Sequence, residues 1–160
     1  AAGASANVPA AAAAGNAPAV AASAAVAAGD PAAAQAAYDV AFKAIRGGNY
    51  VEASREFRSF IQQFPNHPLV PNAWYWLGES YYVTTNYQVA LESFQQLLSQ
   101  FPQSDKAPDA LLKVGYSQLE LKKSDEARAT LTQVTTKYPG SKAASLAKER
   151  LQRLQLQSGN

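Results

Sequence analysis

The chain has 160 residues, 14 of them basic and 12 acidic, with a formal net charge of +2 and no cysteine. That length suits one domain, or one domain with a tail, and so small a net charge gives no case for nucleic acid or a membrane surface as partner. Zero cysteines exclude disulfides, thiolate metal sites and a cysteine nucleophile in this stretch, and suit an oxidising compartment.

The first 37 residues include 22 alanines, and Asp30 is their only charge. Pro9, Pro18 and Pro31, with Gly3, Gly15 and Gly29, interrupt any long helix. Little apolar surface is present to offset the entropy of ordering. Residues 1–31 are therefore expected to be a disordered Ala/Pro-rich linker. The segment is too broken and too weakly apolar for a transmembrane span, and it lacks the basic start of a signal peptide. With no methionine anywhere, the chain is expected to be a processed or excised piece of a longer protein.

A repeat follows. Phe64-Pro65, Phe101-Pro102 and Tyr138-Pro139 place their prolines 37 residues apart. Twelve residues before each proline stand Ala53, Ala90 and Ala127, and twelve before those Ala41, Gly78 and Gly115. Phe57, Phe94 and Leu131 share a further register. Each unit predicts two helices and a proline stop. The first runs through Tyr38, Ala41 and Ile45, a Gly47-Gly48-Asn49 turn, then Ala53, Phe57 and Phe60-Ile61. In the second, Trp74, Leu77, Gly78 and Tyr81 keep helical spacing, Asn86 is the expected N-cap, and Val89-Ala90, Phe94 and Leu97-Leu98 form the next apolar face. The third runs through Leu111, Val114-Gly115 and Leu119, then Ala127, Leu131 and Val134. Each second helix ends where an aromatic precedes proline, because proline disfavours helical geometry in the residue before it.

The stretch Ala73–Tyr82, AWYWLGESYY, crowds five aromatics around Gly78, although glycine costs a helix about 1 kcal/mol relative to alanine. Gly78 and Ala90 are expected to let two helix backbones cross closely, with Trp74, Tyr81 and Phe94 filling the space around them. Ala41/Ala53 and Gly115/Ala127 repeat the pairing. The order W, LG, Y, A, F, P is that of a tetratricopeptide unit. After the third proline, residues 141–156 predict one more helix, apolar along Ala143, Leu146-Ala147, Leu151 and Leu154 and polar at Lys142, Ser145, Lys148, Glu149, Gln152 and Arg153. Such a helix caps a solenoid. The expected fold is all-α: a right-handed superhelical solenoid of three tetratricopeptide-like pairs (about 34–67, 71–104 and 108–140) plus a capping helix, together spanning 32–156.

Candidates for chemistry are few. His67 is the only histidine and has no converging partner nearby, so it reads as a loop residue. Ser145-Leu-Ala-Lys148 matches an S-x-x-K pattern without its companion motifs. Gly47-Gly48 lacks the Lys-Ser/Thr of a phosphate loop, and Asp125-Glu126 starts a helix, where its dipole favours acids. No enzyme, cofactor or metal is expected.

Surface remains. The first helices of such a stack line a groove, and the residues displaced from the packing stripe are Tyr38, Phe42 and Ile45, then Tyr75, Glu79 and Tyr82, then Leu112, Tyr116 and Leu119. Any one of them could equally belong to the inter-helix core. As a set, aromatic and almost uncharged, they suit an extended peptide or amphipathic helix. Grooves that clamp chaperone C-terminal carboxylates use Lys, Asn and Arg where this chain has Tyr38, Phe42 and Glu79, which argues against that partner class.

Three blocks, NAWYWLGESYY (72–82), SDKAPDALLKVG (104–115) and YPGSKAASLAKERL (138–151), resemble the C-terminal domain of the Tol-Pal accessory family called YbgF or CpoB. The resemblance covers about 36–154. It implies a periplasmic, non-enzymatic protein that binds TolA and helps coordinate outer-membrane constriction with septal peptidoglycan synthesis at division, through a peptidoglycan synthase complex. It also implies an N-terminal coiled coil through which the longer protein oligomerises, with this part monomeric. The alternative is a tetratricopeptide scaffold of an outer-membrane assembly lipoprotein complex.

Overall fold

The computed structural model describes residues 29–159, and the alanine-rich stretch 1–28, with the linker expected there, lies outside them. Of the expected linker, residues 29–31 are among those described. Asp30 accepts a 2.9 Å hydrogen bond from the Ala32 amide, and Pro31 takes the first helical position, where its missing N–H costs nothing. Asp30 and Pro31 thus belong to the folded domain.

Seven helices and no strand are found among the described residues. They are α1 (Pro31–Arg46), α2 (Tyr50–Gln63), α3 (Val70–Val83), α4 (Tyr87–Gln100), α5 (Ala107–Glu120), α6 (Ser124–Lys137) and α7 (Lys142–Ser158). Each packs on its neighbours in the chain, with α1 also touching α3 and α5 touching α7. The result is the expected helical solenoid of paired repeats.

The period of the sequence is also a period of the backbone. Inside the three pairs the turn residue with positive φ is Gly48 (75°), Thr85 (63°) and Lys122 (63°), each 37 positions after the last. The second helices end at Phe64, Phe101 and Tyr138, with φ of −126°, −133° and −127°. These non-helical values are what the following prolines impose. Asn86 does stand at the N-cap of α4, but its side chain makes no capping bond.

The core follows the same register. Val70, Ala107 and Ala144 are all buried, as are Ala73, Ala110 and Ala147, and all but Ala144 pack in a core cluster shared with the preceding pair. Small residues there let the pairs stack closely. At α7 Ala143, Ala144 and Ala147 are buried, while Lys148, Glu149, Gln152 and Arg153 are exposed.

The expected role of Gly78 needs correction. What presses on it is the ring of Phe94 on α4, not the backbone at Ala90: a Cβ at residue 78 would lie 2.5 Å from Cε1 of Phe94. At Gly115 the neighbour is Leu131, with Cδ2 at 2.8 Å. The glycine is thus a socket for the large apolar side chain of the partner helix, with Ala90 in the same core cluster as Phe94. Trp74 and Tyr81 pack against the same cores, and the Tyr81 hydroxyl accepts a 2.5 Å hydrogen bond from Arg58 on α2.

Candidate protein-binding groove

A ladder of aromatic rings and cations runs across the first helices of the three pairs and onto α7. Tyr38 and Phe42 lie one turn apart on α1 with ring centres 6.1 Å apart, nearly parallel. Phe42 meets Trp76 of α3 edge-on at 5.4 Å, and Trp76 meets Tyr75 at 5.2 Å. Further along α3, Tyr82 packs edge-on with Tyr87 at 5.2 Å. Tyr38, Phe42, Tyr75, Trp76, Tyr82 and Tyr116 are all half-buried: seated in the core by one edge, open on the other.

Cations lie on these rings. Lys106 Nζ stands 4.9 Å from the centre of Tyr75 and 5.5 Å from that of Trp76. Lys113 Nζ lies 4.9 Å from Tyr82 and 5.9 Å from Tyr116, and the Arg150 guanidinium 5.2 Å from Tyr116. On α1, Arg46 covers Phe42 at 5.3 Å. Such contacts contribute about 0.5–1 kcal/mol when exposed and about 2 when desolvated. Lys113 also forms an ion pair with Glu79 at 2.8 Å, joining α3 to α5, with side chains only 21% and 18% exposed. The expectation of an almost uncharged groove is therefore wrong: its charges enter from positions that the packing stripe does not mark.

The tyrosine hydroxyls here stay protonated. Burial pushes up all four, Tyr38, Tyr75, Tyr82 and Tyr116. For Tyr75 the carboxylates of Glu79 and Asp109 add to it, and Tyr82 is pushed up to about 12 by burial and then by Glu120. At neutral pH each is a neutral donor and acceptor attached to a large apolar face.

Of the other expected lining residues, Ile45 and Leu119 are half-buried, Leu119 at the edge of a hollow of about 460 Å³ that it shares with Arg150 and Arg153. Leu112 is 3% exposed within the third core cluster and lines no surface. It occupies the register of Tyr38 and Tyr75 but lacks the ring that carries those side chains out of the core. Missed altogether were Trp76, Lys106, Lys113 and Arg150. The signal was available, since residues 76, 113 and 150 stand 37 apart in one register.

A hollow of about 300 Å³ lies between α2, α3 and α4, lined by Arg58, Trp74, Val89 and Glu92 among others, and includes none of the ladder. His67 accepts a 3.1 Å bond from the Leu69 amide at Nδ1 and meets Phe60 edge-on at 5.6 Å, which makes it a loop-bracing residue. Ser145 and Lys148 are both exposed. Among the described residues no three metal-ligating side chains converge, and no helix is long and apolar enough to cross a membrane.

Two models of the tetratricopeptide repeat match, one over residues 43–105 and one over 109–141, together more than half of the chain. The chain belongs to the tetratricopeptide-repeat family. One stretch of 42 residues is similar to the cell division coordinator CpoB of Pseudomonas putida, at 43% identity, and makes up 26% of this chain and 16% of that protein. The matched stretch is thus a small part of the relative.

Solved structures agree on the fold. The first tetratricopeptide domain of Spaghetti (RPAP3), bound to an HSP90 peptide, superposes with a TM-score of 0.66 at 18% identity, covering 82% of this chain and 97% of that one. The type III secretion chaperone SycD of Yersinia enterocolitica, in complex with a peptide of the translocator YopD, gives 0.68 at 15% identity over 78% and 93%. Tetratricopeptide arrays are protein-interaction scaffolds.

Proposed function

We propose that this chain is a non-enzymatic protein-binding module that holds a segment of another protein across the ring ladder of α1, α3 and α5. The observation that carries this is the ladder itself, in which Phe42, Trp76, Tyr75, Tyr82 and Tyr116 each keep one edge free of the core. Rings so held offer large contact area at low entropic cost, which is what binding hot spots require. Two fold neighbours carry peptides, the HSP90 peptide on RPAP3 and the YopD peptide on SycD, which supports the mode of binding without naming the partner here.

The resemblance to CpoB narrows the proposal. In that reading the module works in the periplasm within the Tol-Pal system, binds TolA, and helps couple outer-membrane constriction to a peptidoglycan synthase complex during division. The competing reading, a scaffold of an outer-membrane assembly lipoprotein complex, keeps the groove and changes the partner. Calorimetric titration of the periplasmic part of TolA into this chain separates them: a saturable heat is expected, and a flat titration sinks the Tol reading.

A further inference from the structure

Lys106 and Arg150 are half-buried cations, each lying on the face of a groove tyrosine, Tyr75 and Tyr116 respectively. Lys113 between them is neutralised by Glu79 at 2.8 Å, and Arg153 by Glu149. Among the described residues no carboxylate comes within 4.0 Å of Lys106 or Arg150. Asp109 and Glu120 are near enough to act on Tyr75 and Tyr82, yet neither pairs with these two cations.

A cation pressed on a ring has lost part of its water, and the ring quadrupole attracts it without being a counter-ion. An ammonium has three donors and a guanidinium five, so donors remain for an incoming oxygen. A carboxylate arriving there meets a charge already desolvated and already held in place, so little further ordering is needed.

We infer that the groove's occupant is an acidic amphipathic peptide segment, with apolar side chains against the rings and carboxylates on Lys106 and Arg150. The inference rests on the groove reading above and gives that partner its chemistry. Glu79 is part of the selection: by neutralising Lys113 it leaves Lys106 and Arg150 as the half-buried places for acid, beside the exposed Arg46 on Phe42.

The test is selection of a displayed library of random 16-residue peptides on the full chain at low salt. Enriched peptides should combine Leu, Phe or Trp with Asp and Glu, and be poor in Lys and Arg. A representative synthetic peptide should lose about tenfold or more in affinity on Lys106→Gln plus Arg150→Gln, the order expected for lost charge-assisted bonds, while Lys106→Arg plus Arg150→Lys keeps it. Circular dichroism and melting of each variant guard against unfolding. Peptides that need Tyr75 and Tyr82 but show no acidic bias, or bind the Gln variant unchanged, overturn the inference and leave the groove standing. Peptides indifferent to Tyr75→Ala plus Tyr82→Ala, or none selected at all, remove the groove and the inference together.

Discussion

The ring of Phe94 occupies the space a side chain would need at Gly78, with Cε1 at 2.5 Å and Cζ at 2.7 Å from the position of a Cβ. Both residues are buried, Phe94 to 0% exposure. Two effects oppose each other on Gly78→Ala. Helix propensity favours alanine by about 1 kcal/mol, whereas overpacking a filled core costs about 1–3 kcal/mol. Because the obstacle is a rigid buried ring, overpacking wins. Gly78→Ala should lower stability by about 1 kcal/mol and Gly78→Leu by more, read from urea midpoints. Gly115→Ala should cost less, since Leu131 can change rotamer. An Ala variant at 78 more stable than the parent would sink the socket explanation.

The positive-φ turns make a prediction of opposite sign. L-residues in this region cost about 1–2 kcal/mol, and a β-branched residue such as Thr85 is a particular outlier there. The first pair uses Gly48 at the same register. The turn bond from the Thr85 amide to the Tyr82 carbonyl, 3.0 Å, needs no side chain. Glycine's greater unfolded-state entropy takes back about 0.5–1 kcal/mol. Thr85→Gly and Lys122→Gly should therefore each raise stability by a few tenths to about 1 kcal/mol, Thr85→Gly the more. Melting temperatures a few degrees below the parent would refute this.

How legible this was depends on what each residue type announces. Proline, and small residues at fixed offsets, recur without gaps, so the pairs and the capping helix could be read directly from Pro65, Pro102, Pro139 and their partners. Gly78 announced a close approach but not the identity of what approaches, because Ala90 and Phe94 sit one turn apart on the same face. In the groove, ring-bearing positions were readable. The cations were not, because a lysine ordinarily reads as solvated surface, and nothing in one sequence shows that Lys106 and Lys113 fold back onto rings of α3, the first helix of the preceding pair. Leu112 failed for the converse reason: it holds a groove register with a side chain too short to leave the core.

Glu79 and Lys113 allow a measurement of how much the groove's charges contribute to the stack. Their side chains are 18% and 21% exposed, so the pair is worth more than a surface ion pair, typically 0–1 kcal/mol, and less than a fully buried one. A double-mutant cycle with Glu79→Gln and Lys113→Gln should give a coupling of about 1 kcal/mol. Glu79→Gln alone should be the milder single change, since Lys113 keeps the rings of Tyr82 and Tyr116. Zero coupling would mean the pair plays no part in fixing α3 against α5.

Binding should run through the rings, not through the exposed polar face of α7. Tyr and Trp anchors lose about 2 kcal/mol or more on truncation at hot spots, while rim charges mainly set association rate and salt dependence. Tyr75 and Tyr82 belong to the ladder and to the core edge, with Tyr75 also 5.8 Å from Phe94. Lys148 and Arg153 are exposed, and Arg153 is occupied by Glu149. Tyr75→Ala plus Tyr82→Ala should weaken a TolA-type partner at least thirtyfold, roughly what 2 kcal/mol implies. Lys148→Ala plus Arg153→Ala should change affinity less than about threefold and lower only the on-rate, as expected for rim charges. Arg150 is the exception on α7, because it reaches Tyr116. Titration calorimetry of both double variants decides, with circular dichroism confirming that the tyrosine pair still folds. Loss of binding in the basic pair with the tyrosine pair unaffected would place the partner on the capping end and remove the groove from the account.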